Sequence, residues 1–375
     1  MPWQEQSQMS LRREFVTFAQ QEALPMRVLC RQFGISPKTG YKWLARAAAD
    51  ASDPLADHSR RPQTSPRQTP PALEAAVVAL RDAHPTWGGR KLHHWLRAHG
   101  ADPVPAPSTI TDILRRHGRI AADPEAPHPW QRFERAAPNE LWQLDFMGHR
   151  PAGSERVHPL TLLDDHSRFL LGLWACENEQ GTGVQTHLTA AFARYGLPWG
   201  LLTDNGPPWG ATGQGGITRL EAWFLQLGIT VPHGRPYHPQ TQGKVERIHA
   251  TIAADCFGGP ALPDLAAAQP GFDHFRETYN HDRPHEALAF AVPASRYAPS
   301  PRSFPDRLPP IEYAPGDAVR KVRHQGAISY HNHAYFVGTG LIGLPVAVRP
   351  TTTDGVFAII FCAQQIGLID LHDHP

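Results

Sequence analysis

The sequence predicts a multidomain α+β protein: two N-terminal helix-turn-helix units, a mixed α/β domain, and a small β-barrel at the C-terminal end. Three observations carry this prediction. Apolar residues keep helical spacing up to about residue 120, mix strand and helix spacing from residue 141, and fall into short strand-like runs after residue 310. Pro-rich polar stretches separate these regions. Charge is also divided, with 19 Lys/Arg against 14 Asp/Glu in residues 1–140 and 17 against 21 in residues 141–375. The expected order is a helix-turn-helix unit (1–55), a linker (56–71), a second such unit (72–121), a linker (122–140), the sheet domain (141–298), a linker (299–310) and the barrel (311–375).

A chain of 375 residues is long enough for two to four separate cores. A net charge of +1 selects no partner, but the basic front end suits a polyanion. The four cysteines, Cys30, Cys176, Cys256 and Cys362, are too scattered for a CxxC metal site and suit a reducing compartment. No apolar run is long enough to span a bilayer and no signal-peptide pattern is present, so a soluble cytoplasmic protein is expected.

In the first unit, Leu24, Val28, Leu29 and Phe33 form a helix-period face that Gly34 ends. A second helix then starts in "SPKTGYKWLARA", with Ser36 as N-cap and Pro37 at the first helical position. Lys38, Thr39, Tyr41, Lys42 and Arg46 lie on this helix, which in a helix-turn-helix would enter the major groove with its basic residues near phosphate. An ordinary helical hairpin with a solvated basic face would share this pattern. The second unit has helices near Leu73–His84 and Gly88–His99, then "APSTITDILRRHG". There Ser108 is the expected cap, Ile110, Ile113 and Leu114 the core face, and Thr109, Asp112, Arg115 and Arg116 the outward face.

In the sheet domain, "LWQLDFMG" alternates, with Trp142, Leu144 and Phe146 on one face and Gln143, Asp145 and Met147 on the other. "RVHPLTLLDDHSRFLLGLWA" reads as an antiparallel hairpin turning at Asp164–Ser167. A helix over residues 183–195, a strand in "LPWGLLTD", a helix over residues 217–227 and a short strand "GITV" complete a mixed five-stranded sheet. Ligands collect at the strand ends of such sheets where the order reverses. Asp204 stands at one such end, before the breakers Asn205-Gly206 and Pro207-Pro208. A lone aspartate there can simply open a turn. After Pro239 and Gly243, Val245, Ile248 and Ile252 mark the buried stripe of a further helix, with Glu246 at its edge. Carboxylates from a mid-strand, a strand end and a helix edge can converge on one point. Hard divalent cations want such oxygens, and a pair of them serves phosphoryl transfer.

"LWQLDF", "DDHSR", "TDNG" and "PQTQGKVER" together resemble the integrase core of insertion-sequence transposases and retroviral integrases. The resemblance implies a ribonuclease-H-like fold and a DDE triad at Asp145, Asp204 and Glu246, holding two Mg²⁺ or Mn²⁺ ions. The triad positions lie 59 and 42 residues apart, the second spacing longer than the commonest in that family. "SPRQTPP", "PTWGGRKL", "PSTITDILRRHG" and "YNHDRPHEAL" are similar to the bacterial group. In the last of these, a helix start at Pro284 is the simplest reading. Asp165 is treated as structural, in keeping with its place in the hairpin turn. Many relatives carry a basic residue seven positions after the glutamate. Here that position is Ala253; Lys244 and Arg247 are the expected substitutes, one of them more readily than both, unless the contact comes from elsewhere in the chain.

The tail runs "AVRKVR", "AISYH", "AYFVG", "PVAVR" and "VFAIIF" read as the small barrel, with Arg320, Lys321 and Arg323 either phosphate contacts or a solvated face. By resemblance the chain is a DNA transposase that binds element ends, cleaves them and joins their 3′-hydroxyls to target DNA, acting as at least a dimer. A nuclease of the same fold and a catalytically silent DNA-binding regulator are the alternatives.

Overall fold

A computed structural model describes residues 8–21, 24–49, 55–57, 68–120, 134–204, 206, 208–209, 216–232 and 243–373. The chain divides into two compact units, residues 1–68 and 69–375.

The first unit contains α1 (Gln8–Gln20), α2 (Met26–Gln32) and α3 (Pro37–Ala47). Ser36 caps α3, its hydroxyl accepting from the Thr39 N–H at 3.2 Å, with Pro37 following as expected. Phe15, Val16, Leu29, Cys30, Trp43 and Leu55 form the core. Leu24 and Val28 lie outside it, 43% and 41% exposed. Because α2 begins only at Met26, its inward face runs through Met26, Leu29, Cys30 and Phe33, and Val28 turns away from it. Gly40 is where α3 crosses its neighbours: a Cβ there would stand 2.6 Å from Cys30 Sγ and 2.9 Å from the Phe15 ring. Most of the expected 56–71 linker, residues 58–67, lies outside the described residues.

The second unit opens with three helices, α4 (Pro71–Ala83), α5 (Gly89–Ala98) and α6 (Pro107–Arg116). Val77, Trp87, Leu92, Leu96, Ile110, Ile113 and Leu114 meet between them. Ser108 is not the cap of α6. Ala106 holds that place in an extended conformation, as the residue before a proline must, and Pro107 takes the first helical position. Of the expected 122–140 linker, residues 122–133 lie outside the described residues, whereas the Arg135 and Asn139 N–H groups donate to Asp165 and Asp164, each at 2.8 Å.

The sheet comprises β1 (Trp142–Phe146), β2 (Arg150–Ala152), β3 (Glu155–Asp164), β4 (Leu170–Cys176) and β5 (Leu201–Leu202). β3 pairs antiparallel with β1, β2 and β4, and β5 runs parallel to β1. The expected last strand in "GITV" is reduced to one bridge between Thr230 and Gly200. On one face Trp142, Leu144, Leu160 and Leu162 pack against α7 (Gly181–Tyr195) and α8 (Arg219–Gln226). On the other, Leu163, Leu170 and Leu173 meet α9 (Gly243–Cys256) and α10 (Ala268–His281). The mixed sheet with helices on both faces fits the ribonuclease-H-like expectation, and Val245, Ile248 and Ile252 form the buried stripe of α9.

The tail contains β6 (Ala318–Lys321), β7 (Ala327–Tyr330), β8 (His333–Phe336), β9 (Pro345–Pro350), β10 (Val356–Phe361) and β11 (Gln364–Asp370). The expected barrel is not formed. The strands make an open antiparallel sheet in the order β11-β10-β9-β6 and a separate β7–β8 hairpin. Ile217, Ala222 and Leu225, from α8 and the residues before it, join the apolar core of this tail, so a neighbouring helix covers surface that closure would otherwise have to bury. The expected 299–310 linker is a strap. Ser300 N donates to Tyr195 O at 2.8 Å, Arg302 O accepts from Leu197 N at 2.7 Å, and the Arg302 guanidinium donates to the carbonyls of Pro198, Leu227 and Gly228.

Candidate active site at the ends of β1 and β5

Asp145 lies on the α9-facing side of β1, half-buried. The parallel register pairs Trp142 with Leu201 and Gln143 with Leu202. Continued by two residues, it sets Asp145 level with Asp204 on adjacent chains, which in a sheet run about 4.8 Å apart. Asp204 is also half-buried, and its Oδ1 accepts from the Gly206 N–H at 3.2 Å. Asn205 and Pro207 lie outside the described residues. Glu246 sits in the first turn of α9 and is exposed.

Burial pushes the Asp145 carboxyl up to about 7, and the charges of Asp204, Glu179 and Glu246 add to the rise. Burial, then Glu179, also raises Asp204. Glu179, between β4 and α7, is therefore a fourth acid facing the pair. No sequence pattern marked it, because the strands that bring it here are distant in the chain. Its Oε1 lies 2.9 Å from His158 Nδ1.

A second feature that sequence reasoning missed joins the two sides of the site. Thr161 on β3 donates its hydroxyl to the Asp145 carbonyl at 3.0 Å and stands 2.9 Å from His249 Nε2 on α9. Burial drives His249 down to about 4, so the ring is neutral near pH 7 and donates from Nε2 to a hydroxyl already committed as a donor. The Glu246 helix is thus tied to the strand that carries Asp145.

No group of three or more His, Cys, Asp or Glu side chains among the described residues is gathered closely enough to hold one metal ion. The structure brings Asp145 and Asp204 together and leaves Glu246 facing solvent beside them. Two half-buried carboxylates whose proton affinities are both raised, Asp145 by burial and the Asp204 charge and Asp204 by burial and the Glu179 charge, are a donor set that fits a hard divalent cation.

The raised Asp145 has a measurable consequence. Between its unfolded value near 4 and its folded value of about 7, the folded state holds more proton than the unfolded state, so this group lowers stability as pH rises through that window. In chelator, Asp145→Asn is expected to raise the melting temperature by a few degrees at pH 8, an advantage that shrinks towards pH 5. An offset that does not change between pH 5 and 8 would contradict this environment for Asp145.

Asp165 is fully buried and accepts from Arg135 N, from Gln143 Nε2 at 2.6 Å and from Lys244 Nζ at 2.5 Å. Its structural reading fits this geometry. Lys244 is thereby drawn inward and half-buried, whereas Arg247 is exposed. Of the two expected substitutes for the basic residue absent at Ala253, Arg247 is the one exposed to solvent. Asn280 exchanges hydrogen bonds with the Leu170 backbone (2.8 and 3.0 Å), and Arg283 pairs with Asp255 at 3.2 Å. Pro284 starts no helix, since the next short turn, Glu286–Leu288, has His285 at its cap.

On α3, Lys38, Tyr41 and Lys42 are exposed and Thr39 is half-buried, while Arg46 folds back over the Trp43 ring at 5.0 Å. On α6, Thr109 is exposed, Arg115 pairs with Asp112 at 2.8 Å and Arg116 with Glu74 at 2.9 Å. In the tail, Arg320, Lys321 and Arg323 line a groove of about 830 Å³ with His324, Tyr330 and His331. No helix among the described residues is long and apolar enough to cross a membrane.

A helix-turn-helix front end followed in the chain by a mixed sheet with two acids at its strand ends is the arrangement of proteins with an integrase core. The chain matches the integrase core domain over residues 135–239 and again over 227–293, and the IS481 family transposase C-terminal domain over 317–375. A helix-turn-helix domain matches residues 11–63 and a homeodomain-like domain residues 39–114. The chain thus resembles insertion-sequence transposases, with an integrase core similar to those of retroviruses. It is 25% identical over 240 residues to the insertion element IS407 uncharacterized 31.7 kDa protein of Burkholderia multivorans, covering 62% of this chain and 83% of that one. It is 32% identical over 161 residues to the Gag-Pro-Pol polyprotein of squirrel monkey retrovirus, covering 43% of this chain and 8% of the polyprotein. Among solved structures, the simian T-cell lymphotropic virus intasome in complex with PP2A regulatory subunit B56 gamma aligns at a TM-score of 0.38 and 18% identity, covering 78% of this chain and 99% of the aligned chain.

Proposed function

We propose that the protein is a metal-dependent DNA transposase that cleaves the ends of its element and joins their 3′-hydroxyls to target DNA. The observation that carries this reading is the half-buried pair Asp145 on β1 and Asp204 two residues past the end of the parallel β5, with Glu246 in the first turn of α9. These three carboxylates are the proposed ligands. Two Mg²⁺ or Mn²⁺ ions bound there would activate the attacking oxygen and stabilise the leaving one in an in-line displacement. The chain's own part is to hold the acids in register, to fix the Glu246 helix through His249 and Thr161, and to grip DNA. Duplex recognition is assigned to the two helix-turn-helix units, through Lys38, Thr39, Tyr41, Lys42 and Arg46 and through Thr109, Arg115 and Arg116. Arg247 is assigned to backbone contact near the acids. Two element ends must be held together, so the working form is a dimer or larger.

The deciding experiment incubates the full chain with its element ends, a target plasmid and Mg²⁺. Joined products are expected. Cleavage without joining would indicate a nuclease, and binding alone a regulator.

A further inference from the structure

The junction between the second helical unit and the sheet domain holds cations that make no ion pair among the described residues. Lys91, His94 and Trp95 share one face of α5, at relative positions i, i+3 and i+4. That face meets the segment after α10: Trp95 Nε1 donates to Asp282 Oδ1 at 2.5 Å, and the His94 ring stacks on Phe290 with centres 3.9 Å apart. α9 reaches the same junction through Asp255, which accepts from Thr86 at 3.3 Å and pairs with Arg283 at 3.2 Å. Arg247, Thr251 and Asp255 follow one another along one edge of α9 at four-residue spacing.

Two cations at this junction are left without an ion pair. Arg283 has Asp255, Arg168 has Glu134 at 3.1 Å, and Arg90 has Glu286 at 3.8 Å. Lys91 and Arg247 have no side-chain hydrogen bond or ion-pair partner among the described residues. Two more polar atoms, Arg168 Nη1 and His285 Nδ1, are buried without a hydrogen-bond partner. Burial, reinforced by Arg283 and Arg247 and opposed by Glu286 and Asp255, brings Lys91 down to about 8, and burial with Arg168, Lys91, Arg283 and Arg247 brings His285 down to about 3. A half-buried ammonium that makes no ion pair of its own, beside acids already paired with arginines, is better stabilised by a further anion.

We propose that Lys91 and Arg247 together form a binding site for a backbone phosphate of DNA, on the path from the second helical unit to the catalytic carboxylates. Arg247 follows Glu246 on α9, so this phosphate site lies along the same helix as the third proposed acid. The guanidinium offers a fork of donors and the ammonium a point charge, a pairing suited to a phosphodiester. The inference rests on the DNA-processing reading above and adds a strand contact to it.

The test uses the full chain and a labelled duplex, with affinity followed across a salt series for wild type, Lys91→Met, Arg247→Ala, the double variant and Lys91→Arg. Each single charge removal is expected to weaken binding several-fold, whatever the duplex sequence, and to flatten the salt dependence by about one in log–log slope, and the double variant by about two. Lys91→Arg should restore most of the slope. Thermal unfolding without DNA should leave Lys91→Met as stable as wild type or more so. A marked loss of stability would make Lys91 a structural residue and overturn the proposal. Wild type that binds with a slope the double variant shares would also overturn it while leaving the transposase reading intact. Wild type with no DNA binding would remove both. Inorganic phosphate that stabilises wild type but not the double variant, with equal DNA slopes, would assign the junction to a free anion and overturn the proposal.

Discussion

Asp145→Asn and Asp204→Asn are each expected to reduce cleavage and joining of element ends by about a thousandfold or more while binding of those ends persists. Asparagine keeps the size of the side chain and one carbonyl oxygen, so Asn at position 204 can still accept from the Gly206 N–H. What it removes is the anionic charge that holds a hard cation at the reacting phosphate. A loss of about 4 kcal/mol in transition-state stabilisation corresponds to that factor. Glu246→Gln should behave likewise, and because Glu246 is exposed its fold should be untouched. Glu179→Gln is the informative comparison, since Glu179 acts electrostatically on both aspartates. Labelled ends resolved on denaturing gels measure cleavage, and anisotropy measures binding. Cleavage that survives at any one position removes that residue from the proposed ligands. Survival in Glu246→Gln together with loss in Glu179→Gln would make Glu179 the third acid.

The second large effect is on stability. Asp165→Ala should destabilise the protein by about 3–5 kcal/mol, the range expected when one partner of a buried ion pair is removed. Asp165 is 0% exposed and accepts from Arg135, Gln143 and Lys244, so its loss leaves buried donors unsatisfied and takes from Lys244 a carboxylate at 2.5 Å. Lys244 stands in the first turn of α9, so the damage should reach Glu246 as well. Urea unfolding should show a lower midpoint at unchanged slope. The double variant Asp165→Ala/Lys244→Met should recover a large part of the loss. A change below about 1 kcal/mol would mean that the carboxylate is not a buried anchor.

Much of this arrangement is legible before any coordinates. The alternation of "LWQLDF" places Asp145 on the correct face of β1, and Val245, Ile248 and Ile252 define the inner stripe of α9, because each is a local periodicity that the sheet then buries on one side. What stays hidden depends on meetings between distant segments. Glu179 faces the acids only through the β3–β4 register and the start of α7, and His249 meets Thr161 only when α9 docks. "YNHDRPHEAL" stood out as a motif, yet its work is to bond the Leu170 backbone and to clasp α5 and α9, which no turn chemistry at Pro284 suggests. The tail shows why strand patterns underdetermine closure. They say which residues turn inward but not whether a neighbouring helix covers them, and here residues of α8 do.

The Arg302 strap also bears on effective concentration. A free tether of twelve residues would let the tail sheet wander over about 20 Å relative to the sheet domain. With its backbone bonded to Tyr195 and Leu197 and its guanidinium held by three carbonyls, residues 299–310 lose that freedom when the chain folds rather than when a ligand binds. A long polymeric ligand that touches both parts therefore meets its second contact already in place, and the tail contributes to affinity as a preorganised half of one surface.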